Sequence, residues 1–130
     1  MNILELPNAR KRGLVVQELP NEVLVYDLER DEAHCLNETA AAVWRACDGK
    51  KSVPEIASAV RLSLGEHVSD DVIWLAIDDL AEHRLLEGKI DKRFDRISRR
   101  EVIRRLGVAS MAALPVIATL SAPKSVYAAA

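Results

Sequence analysis

Residues 35–44 read Cys-Leu-Asn-Glu-Thr-Ala-Ala-Ala-Val-Trp, and the pattern of the chain changes from strand to helix within them. Asn37 suits the N-cap of a helix, and Glu38 places an acid in the first turn, where the helix dipole favours it. Apolar residues then recur at helical spacing. This stripe consists of Ala40, Val43, Trp44 and Cys47. We therefore predict that β structure ends at Leu36 and that a helix follows Asn37.

The chain before this point has the pattern of an antiparallel sheet. A β-branched run at 14–16 precedes a turn at 19–21, where Pro and Asn suit turn positions. Residues 22–28 alternate between two faces, and the polar segment 29–32 has the length of a hairpin connection. A short third strand follows at 33–36. The sequence thus predicts a three-stranded antiparallel meander.

Two more helices follow the first. Ser52 and Glu55 form a capping box, and Gly65 ends the second helix. Ser69 caps the third helix, which has Trp74 at the margin of its apolar stripe. That stripe consists of Ile73, Ala76, Ile77 and Leu80. The predicted fold class is α+β: a winged-helix-like domain in which an N-terminal three-stranded antiparallel sheet precedes three helices, with an additional C-terminal apolar helix.

The composition indicates one domain with unevenly distributed charge. The chain has 130 residues, 49% of them apolar, which is enough for one hydrophobic core. Residues 1–88 carry 9 basic and 17 acidic side chains, whereas residues 89–105 carry 8 basic and 3 acidic ones. The two cysteines have neither metal-ligand spacing nor the number that a disulfide framework needs, so we expect reduced thiols. We divide the chain into a domain at 1–88, a charged linker at 89–97 and a tail at 98–130.

The strand-to-helix segment and its surroundings resemble the PqqD family, the peptide-binding elements of pathways that modify ribosomally made peptides. The resemblance extends over roughly residues 10–88. It rests on the stretches 35–44, 47–49, 52–57, 71–80 and 85–86. The Leu-Asn-Glu-Thr-Ala block, followed by a Trp and an Asp-Gly, is the most specific part of it.

The resemblance implies a non-catalytic scaffold. In that family a leader segment of the precursor adds as a β-strand to the third strand and lies between this strand and the third helix. A radical S-adenosylmethionine enzyme or another modifying enzyme then acts on the presented peptide, and in the founding pathway the product is pyrroloquinoline quinone (PQQ). On this sequence, the resemblance implies these peptide-binding residues: Ala33, His34, Cys35, Leu36, Ile73, Trp74 and Ile77.

Elementary chemistry agrees with strand addition, although it does not favour every residue equally. A short edge strand exposes unpaired N–H and C=O groups, so an extended peptide can pair with it. Ile73 and Ile77 lie at core spacing, and simple packing is the plainer interpretation for both. Trp74 lies beside the stripe and is the better candidate for a groove, whereas Trp44 lies within its stripe and is expected in the core.

The sequence offers no grouping that indicates catalysis or metal binding. His34, His67 and His83 are scattered over strand, loop and helix end, outside any metal-ligand spacing. The adjacent carboxylates at 70–71 and 78–79 point apart on a helix, and we interpret them as solvated charges. We therefore predict neither an enzyme nor a bound cofactor.

The tail has a different character. The segment 98–104 resembles a twin-arginine export motif, and the candidate targeting residues are Arg99, Arg100, Arg104 and Arg105. Residues 106–123 carry no charge. As a helix they would span about 27 Å, close to the ~30 Å hydrocarbon thickness of a bilayer. Three interpretations stay open: a C-terminal membrane anchor, an apolar helix docked on this domain or a partner, and an export-like targeting sequence. We predict a cytoplasmic protein, with tethering to the inner face of the cytoplasmic membrane under the first interpretation.

Two other functions stay open beside the peptide chaperone: a winged-helix DNA-binding protein and a membrane-tethered adaptor for another protein. The net charge of −8 over residues 1–88 argues against DNA, because phosphate binding relies on clustered Lys and Arg. The basic segment 89–105 adjoins an apolar run, which suits anionic lipid better. Nucleic acid is therefore not a predicted partner.

Overall fold

The computed structural model describes residues 6–88 and 92–121, which form an α+β unit. The elements in chain order are β1 (Leu14–Leu19), β2 (Glu22–Asp27), β3 (Glu32–Asn37), α1 (Glu38–Ala46), α2 (Val53–Leu64), α3 (Asp70–Glu82), α4 (Arg96–Arg105), α5 (Val108–Ala112) and β4 (Ile117–Ser121).

The sheet has the strand order β1-β2-β3-β4, and each neighbouring pair is antiparallel. One face of the sheet is buried: the side chains of Val23, Val25 and Leu36 are fully inaccessible to solvent. Successive side chains of a strand point to opposite faces, so these three residues set the core face of β2 and β3. Leu24 and Leu28 lie on the opposite face and are exposed.

The predicted starts of the three central helices are confirmed. The Asn37 side chain accepts a hydrogen bond from the Ala40 N–H at 3.0 Å. Both bonds of the capping box between Ser52 and Glu55 are present. Helices α1, α2 and α3 pack on one another, and α1 also packs on β2 and β3. With the buried face of the sheet they form a single core, which includes Trp44, Cys47, Ile56, Val60, Ile73, Ile77 and Leu80.

The segment before β1 packs beside the residues that follow α1 and α3. The Ala9 N–H donates to Cys47 O at 2.7 Å, and the Arg10 N–H donates to Leu85 O at 2.9 Å. The Arg10 guanidinium also contacts the buried carboxylate of Asp27 at 2.9 Å. Burial by itself raises the pKa of Asp27, but hydrogen bonds from Arg10 and from the Glu29 N–H outweigh it, and the net shift is downward.

The tail differs from the sequence prediction. The predicted three-stranded sheet gains a fourth strand, and the predicted C-terminal apolar helix is not confirmed. Instead, the tail forms the five-residue helix α5, a turn and strand β4. Pro115 lacks an N–H and disfavours helix in the residue before it, while Val116, Ile117 and Thr119 are β-branched and favour a strand.

Parts of the predicted linker and tail lie outside the described residues. These parts are 89–91 of the linker and 122–130 of the tail, which include the end of the uncharged run. Within 6–88 and 92–121, no helix combines the length and the apolar character needed to cross a membrane.

Candidate functional site

Strand β3 lies between β2 and β4. The edge of β3 that faces away from β2 is called its outer side, and it faces the tail. The predicted edge residues alternate along it: His34 and Leu36 point into the buried face, whereas Ala33 and Cys35 are half-buried on the other face. In the ladder with β4, Leu36 pairs with Ile117 and His34 with Thr119. The position assigned by resemblance to an added strand is thus taken by an extended segment of the same chain.

The direction of the backbone donors of β3 follows from the ladder. The Asn37 N–H donates to Val116 O at 3.0 Å. Since hydrogen-bonded pairs alternate along an antiparallel ladder, the N–H groups of Ala33 and Cys35 also point toward β4. Those of His34 and Leu36 point toward β2. Cys35 therefore offers its backbone to an added strand, whereas His34 offers only its side chain.

His34 is the polar side chain at the centre of this site, and it is only 1% exposed. Its Nδ1 shares a hydrogen bond with Thr119 Oγ1 at 2.8 Å. Its Nε2 has no hydrogen-bond partner among the described residues, because the nearest carboxylate oxygen, Oε1 of Glu32, is 3.9 Å away. Burial, and next the nearby charge of His83, lower the pKa of His34.

The C-terminal end of α3 lies beside β3. The rings of His34 and His83 meet edge to face with their centroids 5.4 Å apart. The predicted wall residues Ile73 and Ile77 are buried in the core. Trp74 is half-buried, and the guanidinium carbon of Arg93 lies 4.3 Å from the centroid of its ring. A peptide-binding role for these three residues stays a prediction.

Two carboxylates of α3 hold the segment that leads to the tail. Asp78 is 4% exposed and accepts hydrogen bonds from the N–H groups of Arg93 and Phe94, each at 2.9 Å. Asp79 forms an ion pair with Arg99 of α4 at 2.9 Å. Burial raises the pKa of Asp79, and the charge of Arg99 offsets only part of this shift. The interpretation of this pair as solvated charges is therefore wrong. The sequence feature that could have indicated these contacts was the positive charge of the segment 89–105, which is opposite to that of the two aspartates.

The four predicted targeting arginines lie on α4. Arg99 is engaged with Asp79, whereas Arg100, Arg104 and Arg105 are exposed. The same helix buries Val102, which is 3% exposed. The targeting or membrane role of these arginines stays a prediction.

Asn37 is a site residue that sequence reasoning identified only as a helix cap. Besides capping α1, its side chain donates from Nδ2 to Leu114 O at 2.9 Å, and its N–H binds Val116 O. One residue therefore fixes both the start of α1 and the start of the tail strand. No sequence pattern links Asn37 to a segment 77 residues away.

The described residues show little nucleophilic or metal-binding chemistry. No three His, Cys, Asp or Glu side chains within 6–88 and 92–121 are grouped so as to hold a metal ion. Burial raises the pKa of Cys47 to about 12, so this thiol stays protonated at neutral pH. Burial and hydrogen bonding to Glu22 raise the pKa of Cys35. Thiols with raised pKa values are weak nucleophiles.

These features define a small α+β domain whose sheet takes up an extended segment along one edge, beside the end of a helix. The family model of coenzyme PQQ synthesis protein D (PqqD) matches residues 22–86, which is half of the chain. The chain belongs to the PqqD family. The match includes β2, β3 and helices α1 to α3, and leaves out β1 and the whole tail.

Comparison with curated proteins gave no match, and neither did comparison with solved structures. The family therefore carries the functional information. It indicates an accessory role, associated with PQQ-type synthesis, in which the protein binds a peptide.

Proposed function

We propose that this protein is a non-catalytic peptide chaperone. It binds the leader of a ribosomally made precursor peptide as an added β-strand on the outer side of β3. It then presents the remainder of that peptide to a modifying enzyme of the radical S-adenosylmethionine type or another type. The chemistry belongs to that enzyme, and this chain supplies recognition and position. Domain 1–88 is the binding unit in this proposal.

The observation that carries the proposal is the pairing of β3 with an extended segment, β4. This pairing supports the view that the outer side of β3 accepts an added strand while β1 and β2 complete the rest of the sheet. Backbone pairing makes little demand on sequence, so it supplies affinity for many peptides. Side chains that reach the added strand supply the selection.

Two polar side chains are placed to make that selection. His34 presents its Nδ1 to the residue opposite it on the added strand, at present Thr119. Asn37 presents its Nδ2 and its N–H to two carbonyl groups at the start of that strand. Burying a polar group without a partner costs about 1–3 kcal/mol, so a peptide that satisfies both residues is favoured over one that does not.

The proposal can be tested with a synthetic peptide that has the sequence of the cognate precursor's leader. Calorimetry with the full chain should show binding, and NMR amide shifts should concentrate on β3 and on the end of α3. Cys35→Pro removes a donor that faces the added strand, so the intrinsic affinity of the open site should fall about fivefold, as expected for ~1 kcal/mol per hydrogen bond. Because this substitution removes the same donor from β4, the loss measured with the full chain should be smaller than fivefold and sets a lower limit on the intrinsic loss.

Val16→Pro on β1 is the matched control. Gly13 O accepts from the Leu28 N–H, so the ladder directs the Val16 N–H away from β2, and proline there removes no sheet hydrogen bond. This variant should bind the leader as the natural chain does. Leader binding that leaves the β3 amides unshifted, or that Val16→Pro weakens more than Cys35→Pro, contradicts the proposal.

A further inference from the structure

Strand β4 takes the position on β3 that the proposed function assigns to the leader. We propose that residues 113–121 are an internal ligand of this site, which closes it until a leader displaces them. This inference rests on the proposed function and adds a means of regulation to the same edge. It also specifies the kind of peptide that the edge accepts.

The tail segment is bound through specific contacts as well as through backbone pairing. Asn37 binds Leu114 O and Val116 O, which fixes where the strand begins. Ala113 is 5% exposed, and Ile117 packs against the core. Thr119 supplies the hydroxyl that meets buried His34 at 2.8 Å. The tail thus satisfies the same polar groups that would select a leader.

The segment before the strand is itself anchored near the site. Asp78 binds the backbone at Arg93 and Phe94, and Asp79 pairs with Arg99 at the start of α4. Further along, Ser110 Oγ donates to His67 O at 2.8 Å. These anchors hold the tail beside β3 at a high effective concentration, which for short tethers reaches the millimolar range.

Pairing with the tail and pairing with a leader exclude each other. The N–H groups of Cys35 and Asn37 face β4, and each can serve only one added strand at a time. The apparent dissociation constant of a leader equals its intrinsic value divided by the fraction of molecules in which the edge is open. A tail that is paired in nine molecules out of ten therefore weakens leader binding about tenfold.

The bound tail also indicates what the displacing peptide looks like. Residues 106–121 carry no charge. In the antiparallel register, an aliphatic side chain lies opposite Leu36, and a hydroxyl lies opposite His34 two residues later. We infer that the leader segment is extended and uncharged, with Val or Ile followed two residues later by Thr or Ser.

Hydrogen exchange of the full chain, without any added ligand, tests whether the tail occupies the outer side of β3. The amides of Cys35 and Asn37 face β4, whereas those of His34 and Leu36 face β2 and serve as an internal control for folding. Ala118→Pro removes a donor that points to Cys35, and Ala118→Val changes the same exposed side chain but keeps the donor. We expect the first pair of amides to exchange at least tenfold faster in Ala118→Pro only. Fast exchange of these amides in the natural chain would overturn the inference.

A binding measurement tests competition. The probe is a fluorescent synthetic peptide with the sequence of residues 112–121, added to the full chain. Ala118→Pro should bind it up to about tenfold more tightly than the natural chain or Ala118→Val does, as full opening of a site closed in nine molecules of ten predicts. Thr119→Val should give a smaller gain because only the hydroxyl that meets His34 is lost, and Thr119→Ser should restore the natural behaviour. Equal binding by all forms overturns the inference.

The outcomes separate this inference from the proposed function. If Ala118→Pro exposes the β3 amides and binds the probe, but no form binds the precursor leader, the internal ligand stands and the proposed function fails. If the leader binds the natural chain and Ala118→Pro equally well, the proposed function stands and the internal ligand fails. Protection that disappears on dilution assigns the strand to a second copy and overturns binding within one chain.

Discussion

Asn37 makes one contact with α1 and one with the tail, and different substitutions can remove these two contacts separately. Its side-chain oxygen caps α1 by accepting from the Ala40 N–H, and its amide nitrogen donates to Leu114 O in the tail. Asn37→Ala removes both contacts. Loss of the cap costs about 1 kcal/mol and loss of the second hydrogen bond about 1 kcal/mol, so the free energy of unfolding should fall by about 2 kcal/mol.

Asn37→Ser and Asn37→Asp keep an oxygen for the cap and lose only the donor to the tail. Their unfolding free energy should fall by about 1 kcal/mol or less, and the ratio of open to closed sites should rise about fivefold. In Asn37→Asp the carboxylate also faces the Leu114 carbonyl, so this variant should release the tail more completely than Asn37→Ser.

Urea unfolding measures the global effect of these substitutions, and hydrogen exchange at the Cys35 amide measures release of the tail. The reasoning requires two different rankings. Stability should be lowest for Asn37→Ala, whereas exchange should be fastest for Asn37→Asp. Asn37→Asp could instead lose as much stability as Asn37→Ala without faster exchange at Cys35. Asn37 would then act only as a helix cap, and its hydrogen bond to Leu114 would not stabilise the bound tail.

Two further predictions concern the charged and titratable groups around the sheet. Arg10→Met leaves the buried Asp27 carboxylate without its main partner, so the free energy of unfolding measured in urea should fall by about 3 kcal/mol. Arg12→Met, at an exposed position, is the control and should change this free energy little. Equal losses in the two variants would contradict the pairing of Arg10 with Asp27. Because the pKa of His34 is lowered from its ordinary 6.5, the unfolded chain binds this proton more readily, and stability should decrease as pH falls from about 6.5. His34→Gln should flatten this dependence between pH 7.5 and 5, and an unchanged slope would show that another group causes it.

The central fold could be predicted because its signals are local. Asn37, Ser52 and Ser69 each precede an apolar stripe of helical period, and each caps a helix as predicted. The alternation at 22–28 places Val23 and Val25 together on one face, and both are buried. In these segments propensity, period and capping all favour the same structure, which is the condition under which sequence reasoning succeeds.

The tail could not be predicted because its structure depends on distant partners. Residues 106–121 contain Ala, Leu and Met, which favour helix, and they show no apolar and polar alternation. Ile117 becomes part of a strand because Leu36, 81 positions earlier in the sequence, offers an edge in register. Likewise, Asp78 and Asp79 looked solvated because nothing on their own helix shows that Arg93 and Arg99 return to them.

A domain that binds peptides by strand addition faces a conflict, because an uncovered edge also pairs with unwanted chains. In this structure β4 covers the outer side of β3, but the side chains of β4 bury little apolar surface. Ile117 is half-buried, and the other four residues of the strand are exposed, with Leu120 at 76%. Backbone pairing and the contacts with Asn37 and His34 therefore carry most of the attachment. Full burial of one large aliphatic side chain contributes about 1.5–3 kcal/mol, or at least a tenfold change in affinity. A leader that buries one more such side chain than β4 does therefore displaces it once the leader concentration is within about tenfold of the effective concentration of the tethered tail. A strand of this composition thus covers the edge without blocking it permanently.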